Sequence, residues 1–149
     1  MDLQQISDRL EITDVLTRYT RAIDSGAWDL LDTVFTPDAA IDYTESGGIA
    51  GPFPEVKPWL AEMLPAFFPK RMHTLGQLDI QFVEGTGDEA TCTAYFHNPM
   101  PLPGREGQDG QGGEKIVEIG GLYHHTLVRT PDGWRSRKLH EEVVWKRGI

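Results

Sequence analysis

The feature that most limits the fold is a change of hydrophobic period halfway along the chain. Between Ser7 and Asp24, the residues Ile12, Val15, Leu16, Tyr19 and Ile23 recur at helical spacing, with Glu11, Asp14, Arg18 and Arg21 on the other face. That is the pattern of a helix with one side in a core. From Thr74 onward the apolar positions fall on every second residue, beginning with Leu78, Ile80 and Phe82, as in a strand with one face buried. Helices first and long antiparallel strands afterwards predict an α+β fold.

Local breakers divide the two halves further. Ser25-Gly26 stops the first helix, and Trp28, Leu31, Val34 and Phe35 predict a second short helix that Pro37 ends. Ala39, Ile41 and Tyr43 alternate with Ala40, Asp42 and Thr44 as a short strand would. A Gly-rich turn from Gly47 to Gly51 leads into a helical piece from Glu55 to Leu64, which Pro65 should kink or terminate. The period-two half predicts strands from Thr74 to Glu84 and Glu89 to Asn98, joined at Gly85-Thr86-Gly87-Asp88. A second pair, Lys115 to Arg129 and Trp134 to Trp145, meets at Thr130-Pro131-Asp132-Gly133, which suits a type I turn. Between the pairs, Pro99 to Gly113 reads PMPLPGREGQDGQGG, a surface connection by composition or, on a sharper reading, a lid over a pocket.

Several classes are disfavoured by bulk properties. The 149 residues fit one domain that can bury roughly 70% of its unfolded surface. Fourteen Lys and Arg face 23 Asp and Glu, a formal charge of −9, and such a field repels nucleic acid and anionic membrane surfaces. Cys92 is alone, which excludes an internal disulfide. No apolar run approaches the roughly 20 residues of a membrane span. The opening MDLQQISDRLE carries acids and no cleavage pattern, so a cytoplasmic protein is expected. Val143, Val144 and Trp145 are apolar for an edge segment and suggest a homo-oligomer, dimer or trimer.

Five histidines, at positions 73, 97, 124, 125 and 140, fall in predicted strands or at their ends. Neighbours on a strand point to opposite faces, so His124 and His125 cannot share an ion from a regular strand. No Cys pair and no HExxH motif occurs, and no metal site is expected. Asp24 ends the first helix, where the negative end of the dipole disfavours a carboxylate. A histidine partner would account for it, because an aspartate accepting from one imidazole nitrogen fixes the tautomer and makes the other a base suited to neutral pH. Tyr43 shares the parity of Ala39 and Ile41; if that face is interior, its hydroxyl needs a partner or a ligand. His97 shares a face with Thr91, Thr93 and Tyr95, a polar face that opens either to solvent or to a pocket.

The order of elements, with RYTRAIDSGAWDLLDTVFTPDAAIDYT, then RMHTLGQ, then a terminal hairpin closed by TPDGWR, resembles the SnoaL-like group of the NTF2-like superfamily, and within it the scytalone dehydratase type. The resemblance spans nearly the whole chain. It implies a cone: a curved, mostly antiparallel sheet wrapped around three helices from the N-terminal half, enclosing a pocket. It also implies that Asp24 supports a catalytic His73, that Tyr43 helps bind a substrate carbonyl, and that His97 is a second active-site histidine. His124 falls near a polar pocket position, and Tyr19, Trp28, Phe53 and Asn98 are further expected substrate-binding residues. Ile23 stands where the dehydratase has a second tyrosine before its aspartate, which argues against scytalone as substrate. The Asp-His arrangement is similar to that of the hexachlorocyclohexane dehydrochlorinases.

The expected function is a cofactor-independent elimination, dehydratase-like, on a small hydrophobic or cyclic carbonyl compound. No metal or organic cofactor is called for. The alternatives are a ketosteroid isomerase-like or polyketide cyclase-like enzyme, and a non-catalytic binding or assembly module, since fold does not fix function.

Overall fold

In the computed structural model, which describes residues 1–103 and 115–148, the first helix is longer than its apolar stripe. Helix α1 spans Leu3–Ser25, and a capping box at Asp2 starts it: the Asp2 side chain accepts from the Gln5 backbone N–H while the Gln5 side chain accepts from the Asp2 N–H. This arrangement satisfies donors that a helix start leaves unpaired. Gly26 ends it in the left-handed conformation, φ 70°, which costs glycine little. The buried face is Ile12, Val15, Leu16, Tyr19 and Ile23 with Asp8.

A 3₁₀ segment, Trp28–Thr33, follows, then β1 (Phe35–Asp42), a 3₁₀ turn at Thr44–Ser46, β2 (Ala50–Pro52) and α2 (Phe53–Phe67). The remaining strands are β3 (Thr74–Phe82), β4 (Glu89–Leu102), β5 (Lys115–Thr130) and β6 (Gly133–Arg147). They form one sheet in the order β2-β1-β6-β5-β4-β3, with β1 and β6 parallel and the other neighbours antiparallel. The sheet is curved and unclosed. Its concave face and α1 share a core that includes Phe35, Tyr123, Leu127, Trp134 and Leu139. The α+β cone expected from the sequence is the fold observed.

Four local expectations are corrected. Pro37 lies inside β1 rather than ending a helix, because Thr36 to Ala39 bulge out between the pairs Phe35–Ser136 and Ala40–Lys138 and the missing N–H costs no ladder bond there. Pro65 is inside α2, which runs on to Phe67, where the Phe68 N–H bonds the Leu64 carbonyl at 2.7 Å. Part of the Gly-rich turn is β2, paired with β1 through Ala40–Pro52 and Asp42–Ala50. Pro99 to Leu102 extend β4 and pair with β5, while residues 104–113 of the expected connection lie outside the described residues. Among the described residues no helix is long and apolar enough to cross a membrane.

Bulges decide which side chains reach the interior. In β6 the partners step from Thr126–Lys138 to Leu127–Ser136, leaving Arg137 unmatched. A single extra residue reverses the parity of everything beyond it. Trp134 and Ser136 face inward on one side of the bulge, and Leu139 and Glu141 on the other.

The start of α1 is tied to the terminal hairpin through a charged contact. The Asp8 carboxylate, 4% exposed, accepts from Arg129 Nη1 and Nη2 at 2.9 and 2.7 Å, from Trp134 Nε1 at 3.0 Å and from Gln4 Nε2 at 3.0 Å. Arg129 also lies over the Trp134 ring, 4.8 Å from its centroid. The Arg129 hydrogen bonds outweigh desolvation and lower the Asp8 pKa from 3.8 to about 2. A depressed folded-state value means the contribution is complete above the unfolded value and is lost as pH falls through the folded one. Denaturant titrations should therefore show about 2 kcal/mol of stability disappearing between roughly pH 5 and pH 2, a component absent in Asp8→Asn.

Candidate active site

At the far end of α1 the helix presents a second carboxylate, and the chain between α2 and β3 comes back to meet it. Arg71 positions that segment: its Nε donates to the Ile23 carbonyl at 3.0 Å and its Nη1 to the Phe68 carbonyl at 3.0 Å. His73, the residue before β3, then binds Asp24 twice. Its backbone N–H donates to Asp24 Oδ2 at 2.8 Å, and its ring Nδ1 lies 2.6 Å from Oδ1. With the carboxylate ionised, Nδ1 carries the proton, and Nε2 remains as the basic nitrogen.

The pair is shielded, with side-chain exposures of 8% for His73 and 15% for Asp24. Burial works to raise the Asp24 pKa, but the hydrogen bonds from the His73 ring and backbone, with the charges of His73 and Arg71, prevail and hold it below 3.8. The helix-end penalty on this carboxylate is thus offset by donors from a distant segment.

His73 lines a cavity of about 260 Å³ whose wall is mostly apolar. Trp59, Leu60, Met63 and Phe67 come from α2, Phe96 and Met100 from β4, and Val117 and Ile119 from β5. Polar groups enter at few points. The hydroxyls of Tyr19 and Tyr43 are 2.6 Å apart, so one donates to the other and a single O–H is left over. Asn98 accepts from the Thr74 N–H at 3.1 Å and donates from Nδ2 to the Tyr123 hydroxyl at 3.1 Å, which leaves the Tyr123 proton free to point elsewhere. Desolvation raises the pKa of Tyr19, Tyr43 and Tyr123, so all three stay protonated donors.

The expected site residues therefore separate. Asp24, His73, Tyr43, Tyr19 and Asn98 are together at the cavity, Asp24 behind His73 and the others on its wall. His97 and His124 are on the opposite face of the sheet, a correction with a simple cause. Phe96 and Asn98 face inward from β4, as Tyr123 and His125 do from β5, and alternation turns the intervening residues outward. His97, its side chain 51% exposed, pairs with Glu118 Oε1 at 3.2 Å and packs on Trp145. His124 stacks on His140 and reaches Glu142 Oε1 at 3.3 Å. Trp28 lies under the Arg71 guanidinium, 5.5 Å away, and Phe53 packs on Phe35 in the core; neither lines the cavity. His125 is buried against Ser136 Oγ at 2.8 Å, and desolvation drives its pKa down to about 3.

The chain's period pointed to none of Trp59, Tyr123 or Glu141 as cavity residues. Glu141 is 7% exposed and its Oε1 is buried without a hydrogen-bond partner. Strict alternation from Trp134 would turn His140 inward instead; the bulge at Arg137 makes it Glu141.

The family model for the SnoaL-like domain matches residues 4–140. The chain belongs to the SnoaL-like family. An uncharacterised protein of Mycobacterium tuberculosis strain H37Rv is 42% identical over 147 residues, covering 99% of this chain and 92% of that one. Among solved structures, a hexachlorocyclohexane dehydrochlorinase of LinA type 2 superposes with TM-score 0.81 at 20% identity, over 100% of this chain and 95% of that one. A Novosphingobium aromaticivorans protein provisionally named a scytalone dehydratase gives 0.82 at 15%, over 100% and 92%. The Kfla4162 protein of Kribbella flavida gives 0.82 at 24%, over 97% and 95%. At these identities the structural likeness establishes the fold.

In this SnoaL-like chain the cavity wall is also held by close packing at Gly48. A Cβ there would fall 2.8 Å from Tyr43 Cβ and 2.9 Å from Trp59 Cη2, and Tyr43 and Trp59 are themselves stacked, 6.5 Å between centroids. Gly48→Ala should cost about 1–3 kcal/mol in denaturant melts and alter the near-ultraviolet circular dichroism of these rings.

Proposed function

We propose that this protein is a cofactor-independent lyase that removes a carbon-bound proton next to a carbonyl group of a small hydrophobic or cyclic compound and expels a leaving group. The observation that carries the reading is the Asp24–His73 pair at the wall of a mostly apolar cavity. A neutral imidazole with its tautomer fixed by an ionised carboxylate is a general base suited to neutral pH. Asp24 orients His73 and stabilises the imidazolium that forms.

The charge moved onto the substrate oxygen needs donors already in place. The spare hydroxyl proton of the Tyr19–Tyr43 pair and that of Tyr123 supply them, while Asn98 holds Tyr123 in its donor orientation. His97 and His124, outside the cavity, take no part. General-base catalysis accounts for about 10²- to 10⁴-fold of rate; the hydroxyls and the exclusion of water supply the remainder.

The test is a panel of cyclic ketones deuterated next to the carbonyl and followed by mass spectrometry. Elimination loses the label together with water or halide, isomerisation conserves the skeleton's mass, and a binding module leaves the ketone intact. His73→Ala should lower turnover by about 10²-fold or more, and Asp24→Asn should lower it severely while binding persists. Normal turnover by a folded His73→Ala protein would refute the assignment.

A further inference from the structure

We infer that Glu141 is the acid that partners the His73 base, delivering its proton to a departing hydroxyl, so that the reaction is loss of water rather than of halide. This rests on the elimination reading above and narrows it. Glu141 stands on β6 directly across from Tyr123 on β5, lines the same cavity as His73, and has a buried carboxyl oxygen without a partner. Among the described residues no arginine or lysine lines the cavity with it. An ionised carboxylate in such a place would need a cation or several donors; a neutral carboxylic acid needs much less, and it holds a proton to give.

The surroundings favour the neutral form. Burial raises the Glu141 pKa, and the charge of Glu45 adds to it, while the Ser46 hydroxyl and the charges of His73 and His140 pull the other way without cancelling the shift. Tyr19 from α1, Tyr43 beside the 3₁₀ turn and Tyr123 from β5 also feel its charge, and none of these is a cation.

The two groups divide the chemistry. Chloride leaves as a stable anion, so a base alone can expel it. Hydroxide is a far poorer leaving group and departs readily only when protonated. In the step inferred, His73 Nε2 takes the proton from the carbon next to the carbonyl, the electron pair forms the C=C bond, and the C–O bond breaks. The Glu141 proton joins the departing oxygen as water. His73 is left as imidazolium and Glu141 as carboxylate, and transfer of the proton between them, directly or through the product water, restores both. The apolar wall would keep both groups away from bulk water.

Two measurements on the intact protein test this. Infrared difference spectra at pH 7, wild type against Glu141→Gln or, should that variant not fold, Glu141→Leu, should show the carbonyl stretch of a protonated carboxylic acid that the variant lacks. Elimination from 3-hydroxycyclohexanone and from 3-chlorocyclohexanone, followed by enone absorbance, should show the hydroxide-to-chloride rate ratio falling by about 10²-fold or more in Glu141→Gln. His73→Ala should depress both rates together. An ionised Glu141 at pH 7, or an unchanged ratio, overturns the inference. Normal rates in His73→Ala, or no turnover of either ketone by wild type, count instead against the elimination reading, and the infrared band still reports on Glu141.

Discussion

Helix α1 is fixed at both ends by a carboxylate, and the geometry of the cavity depends on that. Asp8 and Asp24 are sixteen positions apart in the chain, about 24 Å along a helix at 1.5 Å per residue. One grips the terminal hairpin through Arg129 and Trp134, the other grips the segment leading into β3 through His73. The apolar stripe between them packs under the sheet. A helix held only by its stripe could slide or rotate at modest cost; two directional, charge-assisted contacts remove that freedom. The distance from His73 to the rest of the wall is set by this clamp.

The polar groups of the cavity are arranged economically. Asn98 spends its carbonyl on the Thr74 N–H and its amide on Tyr123, and one of the Tyr19–Tyr43 hydroxyls serves the other. Among the described residues, what remains on the wall is His73 Nε2, two phenolic protons, the Ser46 hydroxyl and the carboxyl of Glu141. In a mostly apolar cavity each of these interacts more strongly than it would in bulk water. That is the kind of setting in which proton transfer at carbon becomes feasible.

The extent to which the site was legible follows from the bulges. Asp24 stood out as a carboxylate at a helix end where it is disfavoured and His73 as the head of an apolar strand, but only the resemblance to the scytalone dehydratase type joined the two. Tyr43 follows the parity of Ala39 and Ile41, and it is interior as expected. His97 was open to either face from alternation alone, since a strand with Thr, Tyr and His on one side looks the same whether that side meets solvent or a ligand. Phe96 and Asn98, its neighbours in β4, were the residues facing the cavity. Pro37 and Pro65 misled for a related reason: a proline ends an element only when its missing N–H is needed there, and the neighbouring strand or turn decides that.

The sequence by itself determined the class of fold and the extent of most elements, because periodicity and capping are local and follow from which side chains prefer water; the pairing of Asp24 with His73 was implied only by the resemblance to the scytalone dehydratase type. Tertiary structure alone decided which histidines face inward and brought Glu141 to the cavity. Both depend on strand register, and register is a property of paired strands: the unmatched Arg137 has no signature in β6 taken alone, yet it reverses the orientation of the residues from Leu139 to Val143. Contacts such as His73 with Asp24, 49 residues apart, exist only once the sheet has curved around α1.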